Sequence, residues 1–219
     1  MDSNVSYLLQ RGQIDRERSF VAKRGGYHHG DLRAALVDAA LALIAERGVD
    51  ALSVAEAARR TGVSAAAPYR HFPTRQALLK ATAIRAAELL AAELRDALAR
   101  DTSGDPCEAL AVTAGVYVRF VARHHAGFDL IFADQLRHLG DPDLNAAGRA
   151  VMDVLLPLAM DVTRDAQAAI TLLEKHVAAA HGYAVLHLSG FLRRRTTDVD
   201  DFAAGAAEVS RTLAVAERR

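Results

Sequence analysis

Residues 58–75 read ARRTGVSAAAPYRHFPTR, between stretches whose apolar residues recur at the three-and-four spacing of helix. Gly62, three alanines and Pro68 in close succession do not suit one continuous helix. Glycine takes a left-handed backbone at no steric cost. Proline lacks an amide and pushes the residue before it away from the α region. The stretch therefore predicts two short helices joined by a tight turn at Thr61 and Gly62. Upstream, Ser53 and Glu56 have the S-x-x-E spacing of a capping box, which starts a helix at SVAEAARR with Val54, Ala57 and Ala58 on its apolar face. Val63 is expected to plug the turn into a small core. Ser64 is expected to cap the following helix, whose first turn Pro68 should distort without breaking.

The rest of the chain is also helical in pattern. Leu32, Leu36, Ala40, Leu43 and Ile44 predict a first helix from an Asp31 cap to a stop at Gly48. Thr74 opens a long helix bearing Leu78, Leu79, Leu89, Leu90, Leu94 and Leu98, and DTSGDP (101–106) is the clearest internal break. Beyond it come CEALAVTAGVYVRFVARHH, a short piece around GFDLIFADQL, a helix near 142–160, a long helix from about Asp165 to Leu192, and a last one after Asp198. No segment alternates as a strand would, and alanine, which loses no side-chain entropy in a helix, recurs throughout. The expected fold is all-α. It comprises a polar, mobile N-terminal arm (1–26), a three-helix domain (27–75) and a larger helical domain (76–219).

Two short helices around a tight glycine turn describe a helix-turn-helix, whose second helix enters the DNA major groove N-terminal end first. Here that end carries Ala65, Ala66 and Ala67, which let the backbone approach closely and can touch a thymine methyl but cannot make a bidentate hydrogen bond to a base. Tyr69 and His71 can donate to phosphates, Arg70 adds charge, Phe72 is a core anchor, and Arg75 lies at a helix start that itself favours phosphate. Net charge is zero, yet residues 1–80 hold 12 Lys and Arg against 8 Asp and Glu, so the basic part is where nucleic acid would be met.

The segment LRAALVDAALALIAERGVDALSVAEAARRTGVSAAAPYRHFPTRQALLKA resembles the N-terminal domain of the TetR family of bacterial transcription regulators, through its helix, turn and Tyr-x-His-Phe signature. The resemblance implies a helical ligand-binding and dimerisation domain to follow, and a repressor released by a small molecule. It makes Ser53, Tyr69, His71 and Arg75 phosphate contacts and Ala65–Ala67 the base-facing turn; Ser64 and Arg70 are also expected among the DNA-binding residues. Arg75 stands where the family usually has Lys, and the alanines depart towards sparse base readout, leaving more to DNA shape, Arg70 or the arm. HVAAAHGYAVLHLSGFL (176–192) is similar to the His-Gly stretch of one branch of the family's C-terminal domains, with Val177 near the position of its usual Trp.

In the second domain, Ile170, Leu173, Val177, Ala180, Ala184, Leu188 and Phe191 form one stripe, and Phe202, Ala206, Val209 and Leu213 another. Pairing of these two helices with those of a second copy would make a two-fold bundle, the symmetry a palindromic operator requires. Ala180, Ala184, Leu188, Phe191, Phe202, Val209 and Leu213 are therefore the expected dimer contacts. Tyr117, Phe120, His124, Phe128, Phe132 and His181 are the expected lining of an effector site. No metal, cofactor or enzymatic activity is expected. His176 and His181 are too far apart for i, i+4 ligation, and there is no H-E-x-x-H, C-x-x-C, G-x-G-x-x-G or G-x-S-x-G. One cysteine, no signal-type N-terminus and no long apolar run point to a cytoplasmic protein without membrane spans. The partners expected are double-stranded DNA, a second copy and an unidentified small molecule. A helical adaptor whose helix-turn-helix binds protein is the alternative.

Overall fold

The computed structural model describes residues 29–133, 136, 140–191 and 196–218. Among them are seven helices and no strand: α1 His29–Arg47, α2 Val54–Thr61, α3 Arg75–Arg100, α4 Pro106–His124, α5 Pro142–Thr163, α6 Ala166–Ser189 and α7 Val199–Glu217. Two 3₁₀ turns, Val49–Ala51 and Ala67–Arg70, and a single α-turn, Phe128–Ile131, complete the described elements. The arm expected at 1–26 lies outside the described residues. None of the described helices is long and apolar enough to cross a membrane.

Caps set the helix starts. Thr74, Asp105, Asp141, Asp165 and Asp198 each accept a hydrogen bond from a backbone amide of the following turn, satisfying groups that the helix itself leaves unpaired. α1 begins at His29, so Asp31 lies inside the helix and does not cap it. Gly62 and Gly190 close α2 and α6 in the left-handed conformation. Pro157 sits within α5 on an exposed position, where it forfeits one helix hydrogen bond.

Residues Leu32–Arg219 form one compact unit around a continuous apolar core. α3 is buried along its length: Leu78 and Leu79 near its start, Leu90 and Leu94 further along. α7 packs chiefly against α4 and α6, and α3 against α5. The core holds a polar network in which His176 on α6 meets Ser210 on α7 and Thr113 on α4.

Candidate nucleic-acid interface

Ser53 caps α2, its hydroxyl accepting from the Glu56 amide at 3.4 Å. The carboxylate half of the expected box goes elsewhere. Glu56 takes the Arg59 guanidinium bidentately at 2.8 and 2.6 Å, and this bonding holds its carboxyl down to about 2. Arg60 in turn pairs with Glu46 of α1. The cations that end α2 are thus neutralised locally. The Glu56–Arg59 pair at i, i+3 was readable in the sequence; the Arg60–Glu46 pair, 14 residues apart, was not.

Gly62 turns the chain at φ 70°, its amide bonding to Ala58 and Arg59 carbonyls. Val63 is half-buried against the core, as a plug should be. The element that follows differs from the expectation. Ser64 does not cap an α-helix; its carbonyl accepts from the Ala67 amide at 3.1 Å, and a 3₁₀ turn runs from Ala67 to Arg70. Pro68 is the physical reason. An α-helix would take the Ser64 carbonyl to the amide of residue 68, and proline has none, so the tighter bond forms one residue earlier. The rotation buries Pro68 and turns Ala67 partly against the core, while Ser64, Ala65 and Ala66 stay exposed.

The side chains after the turn are spread around it. Tyr69 is 49% exposed, Arg70 is exposed and forms no ion pair among the described residues, and His71 is half-buried. Phe72 is buried as an anchor, with the Arg33 guanidinium 5.4 Å from its ring centroid. Thr74 caps α3 through the Ala77 amide at 3.1 Å. Arg75 reaches back across the motif: its Nε donates to the Leu52 carbonyl at 2.9 Å and its Nη2 to the Val49 carbonyl at 2.7 Å. Nothing in the residue spacing announced that bond pair.

The expected effector residues fall into separate groups. The Tyr117 hydroxyl and His181 Nδ1 are 2.8 Å apart. The Phe120 and His124 rings are 4.6 Å apart, and burial keeps the His124 imidazole below its usual pKa. Phe132 packs at Gly148 and lines a cavity of 240 Å³ between the single turn and α5. The Phe128 side chain lies outside the described residues. A groove of 640 Å³ between α3, α4 and α7 is lined by none of the six.

Of the expected dimer contacts, Ala180, Ala184 and Phe202 are buried within one chain, where α6 and α7 pack on each other. Val209 is half-buried, and Leu213 is half-buried against the core. Leu188 and Phe191 are exposed, Phe191 to 76%. A stripe of one fixed repeat drifts around a helix that turns about every 3.6 residues, so its middle faces inwards and its ends face out. Ile170 and Val185 are exposed apolar residues on the same helix.

A glycine-closed helix, small residues turned to solvent and a short 3₁₀ turn ahead of the Thr74-capped α3 fit a helix-turn-helix DNA-binding protein. The family model described as bacterial regulatory proteins, tetR family, matches residues 36–82, and that described as tetracyclin repressor-like, C-terminal domain, matches residues 110–209. The chain belongs to the TetR family and is a DNA-binding transcriptional regulator. An HTH-type transcriptional regulator of Mycobacterium tuberculosis is 27% identical over 187 residues, 85% of this chain and 82% of that one. A Rhodococcus protein of unknown function is 29% identical, with a TM-score of 0.69 over 90% of this chain and 100% of its own. A tetR-family transcriptional regulator from Streptomyces coelicolor shares the fold at 24% identity, with a TM-score of 0.60 over 86% of this chain and 79% of that chain.

Proposed function

We propose that this regulator works as a homodimer that occupies a palindromic operator and is released by a small molecule, without catalytic turnover, in the cytoplasm. The observation that carries the reading is the exposed turn Ser64–Ala66, with Tyr69 and Arg70 beside it, between α2 and α3. Ser64, Ala65 and Ala66 face the bases; Ser53, Tyr69, Arg70 and His71 meet phosphates on either side. Arg75, a phosphate contact by position in the family, is left out of that set because its guanidinium is turned to the Leu52 and Val49 carbonyls. With short side chains at the base edges, specificity leans on backbone approach and DNA shape more than on bidentate contacts.

Residues 27–75 form the reading part and 76–219 the dimerising and sensing part, with α3 common to both. The exposed apolar residues Ile170, Val185, Leu188 and Phe191 support pairing through the outer face of α6. The Tyr117–His181 pair and the cavity beside Phe132 are the polar and apolar features that an effector would use. An effector that binds one arrangement of the pair more tightly moves the two reading turns out of register with their half-sites.

Selection from random-sequence duplex DNA tests the reading. An enriched inverted repeat whose binding weakens with salt is the expected result. Weak salt-sensitive binding with no enriched sequence overturns specific readout and favours the protein-binding adaptor.

A further inference from the structure

The guanidinium of Arg75 bridges two parts of the motif that the chain connects only through the reading turn. Arg75 is the first residue of α3. Its two donors run to Leu52 and Val49, the end and the beginning of the loop that delivers Ser53, the α2 cap. Leu52 is buried, so one end of this bridge is anchored in the core. The bridge ties the start of α2 to the start of α3, and Ser64–Arg70 is strung between the far end of α2 and that same start of α3. The angle at which the turn meets DNA therefore depends on the bridge.

We propose that Arg75 is a positioning residue for DNA readout, acting through the Val49 and Leu52 carbonyls to set the turn's pose, with its contribution to specificity exceeding that of one neutralised phosphate. The planar fork suits this role because two of its N–H groups point the same way at fixed spacing. An ammonium on a flexible stem is a point charge and does not hold two carbonyls in one plane. Lys in place of Arg75 keeps the charge and loses the fork. This rests on the turn being the reading element, and the experiment separates the two.

Arg75→Lys and Arg75→Gln are made in the full chain. Operator and random-duplex affinities are measured across a salt series, with amide exchange followed at Ala51 and Leu52, whose amides bond within the bridged loop to Gly48 and Val49 at 3.2 Å each. Both variants should lose roughly tenfold of the operator-to-random ratio and keep the wild-type salt slope, and exchange should quicken at Ala51 and Leu52 but not along α4. A phosphate contact behaves otherwise: Arg75→Lys keeps the ratio, and Arg75→Gln lowers the slope by about 0.9. That outcome overturns the proposal, as does unchanged exchange at Ala51 and Leu52 in Arg75→Lys. If the wild type selects no sequence, specific readout fails while the exchange measurement still decides whether the bridge holds the loop. Should Arg75→Lys fail to fold, Arg75→Gln gives the ratio and the exchange.

Discussion

His176 on α6 and Ser210 on α7 share a hydrogen bond of 2.7 Å inside the core, with Thr113 of α4 at 3.4 Å from the other ring nitrogen. The Thr113 hydroxyl donates to the Leu110 carbonyl at 2.7 Å, so it accepts from His176 Nε2–H; in the neutral ring Nδ1 then accepts from Ser210. Burial lowers the His176 pKa from 6.5 to about 4.

Stability should consequently depend on pH through this ring. Above pH 6.5 the imidazole is neutral in folded and unfolded chains alike, and its contribution is complete. Between 6.5 and about 4 only the unfolded chain takes up the proton, so stability falls as pH falls. The loss is about 1.4 kcal/mol per pH unit, roughly 3 kcal/mol across the window. In urea unfolding, the advantage of wild type over His176→Gln should shrink by about 2 kcal/mol from pH 7 to pH 5. A constant difference across that range would mean that the ring is not held neutral.

Gly205 on α7 gives room to Tyr183 of α6: a Cβ there would lie 2.5 Å from the ring carbon Cε1. Gly205→Ala should force the ring to move and cost about 1–3 kcal/mol, despite alanine's better helix propensity. Truncating the ring first should remove the penalty. In a thermal-unfolding cycle, Gly205→Ala should be neutral or stabilising in a Tyr183→Ala background, and equal effects in both backgrounds would exclude the contact as the cause.

What the sequence disclosed and what it hid divide by distance along the chain. The helices, the caps at Ser53 and Thr74, and the left-handed Gly62 depend on residues within one turn, and the spacing showed them. Pro68 announced a distorted turn, but 3₁₀ geometry follows from where the Ser64 carbonyl finds its partner. The expected pairing stripe of α6 turns inwards at Ala180 and Ala184, because a few degrees per turn accumulate along 24 residues. The Arg75 bridge spans 23 and 26 residues, and no local rule pairs a side chain with carbonyls so far back.

The same limit hid the bond between Lys80 of α3 and Asp141, which also caps α5 through the amides of Asp143 and Leu144 at 3.1 Å each. The ammonium and these amides hold the Asp141 carboxyl below its ordinary pKa, Lys80 first among the causes. Asparagine can still accept from the amides but brings no charge, so Asp141→Asn and Asp141→Ala separate the two jobs. Asp141→Ala should lower the melting temperature more than Asp141→Asn, and Lys80→Met should add little to Asp141→Asn while lowering the wild type. Strict additivity of Lys80→Met with Asp141→Asn would show that the pair is not coupled.

The outer face of α6 yields the test of assembly. Val185 and Leu188 are exposed apolar side chains near the C-terminal end of a helix whose inner face is already satisfied by α4 and α7. Buried against a second copy, they would be removed from water on both sides of a two-fold axis, so each substitution acts twice. Val185→Glu and Leu188→Glu place charges where no partner is provided, which should weaken self-association by at least roughly thirtyfold while leaving the melting temperature of the isolated chain nearly unchanged. Sedimentation equilibrium over a concentration series reads the first effect, and circular dichroism at low concentration the second. A two-site operator should then be bound with the loss of affinity expected for independent half-site occupancy. If both variants sediment as the wild type does at every concentration, the chains pair through another surface or not at all.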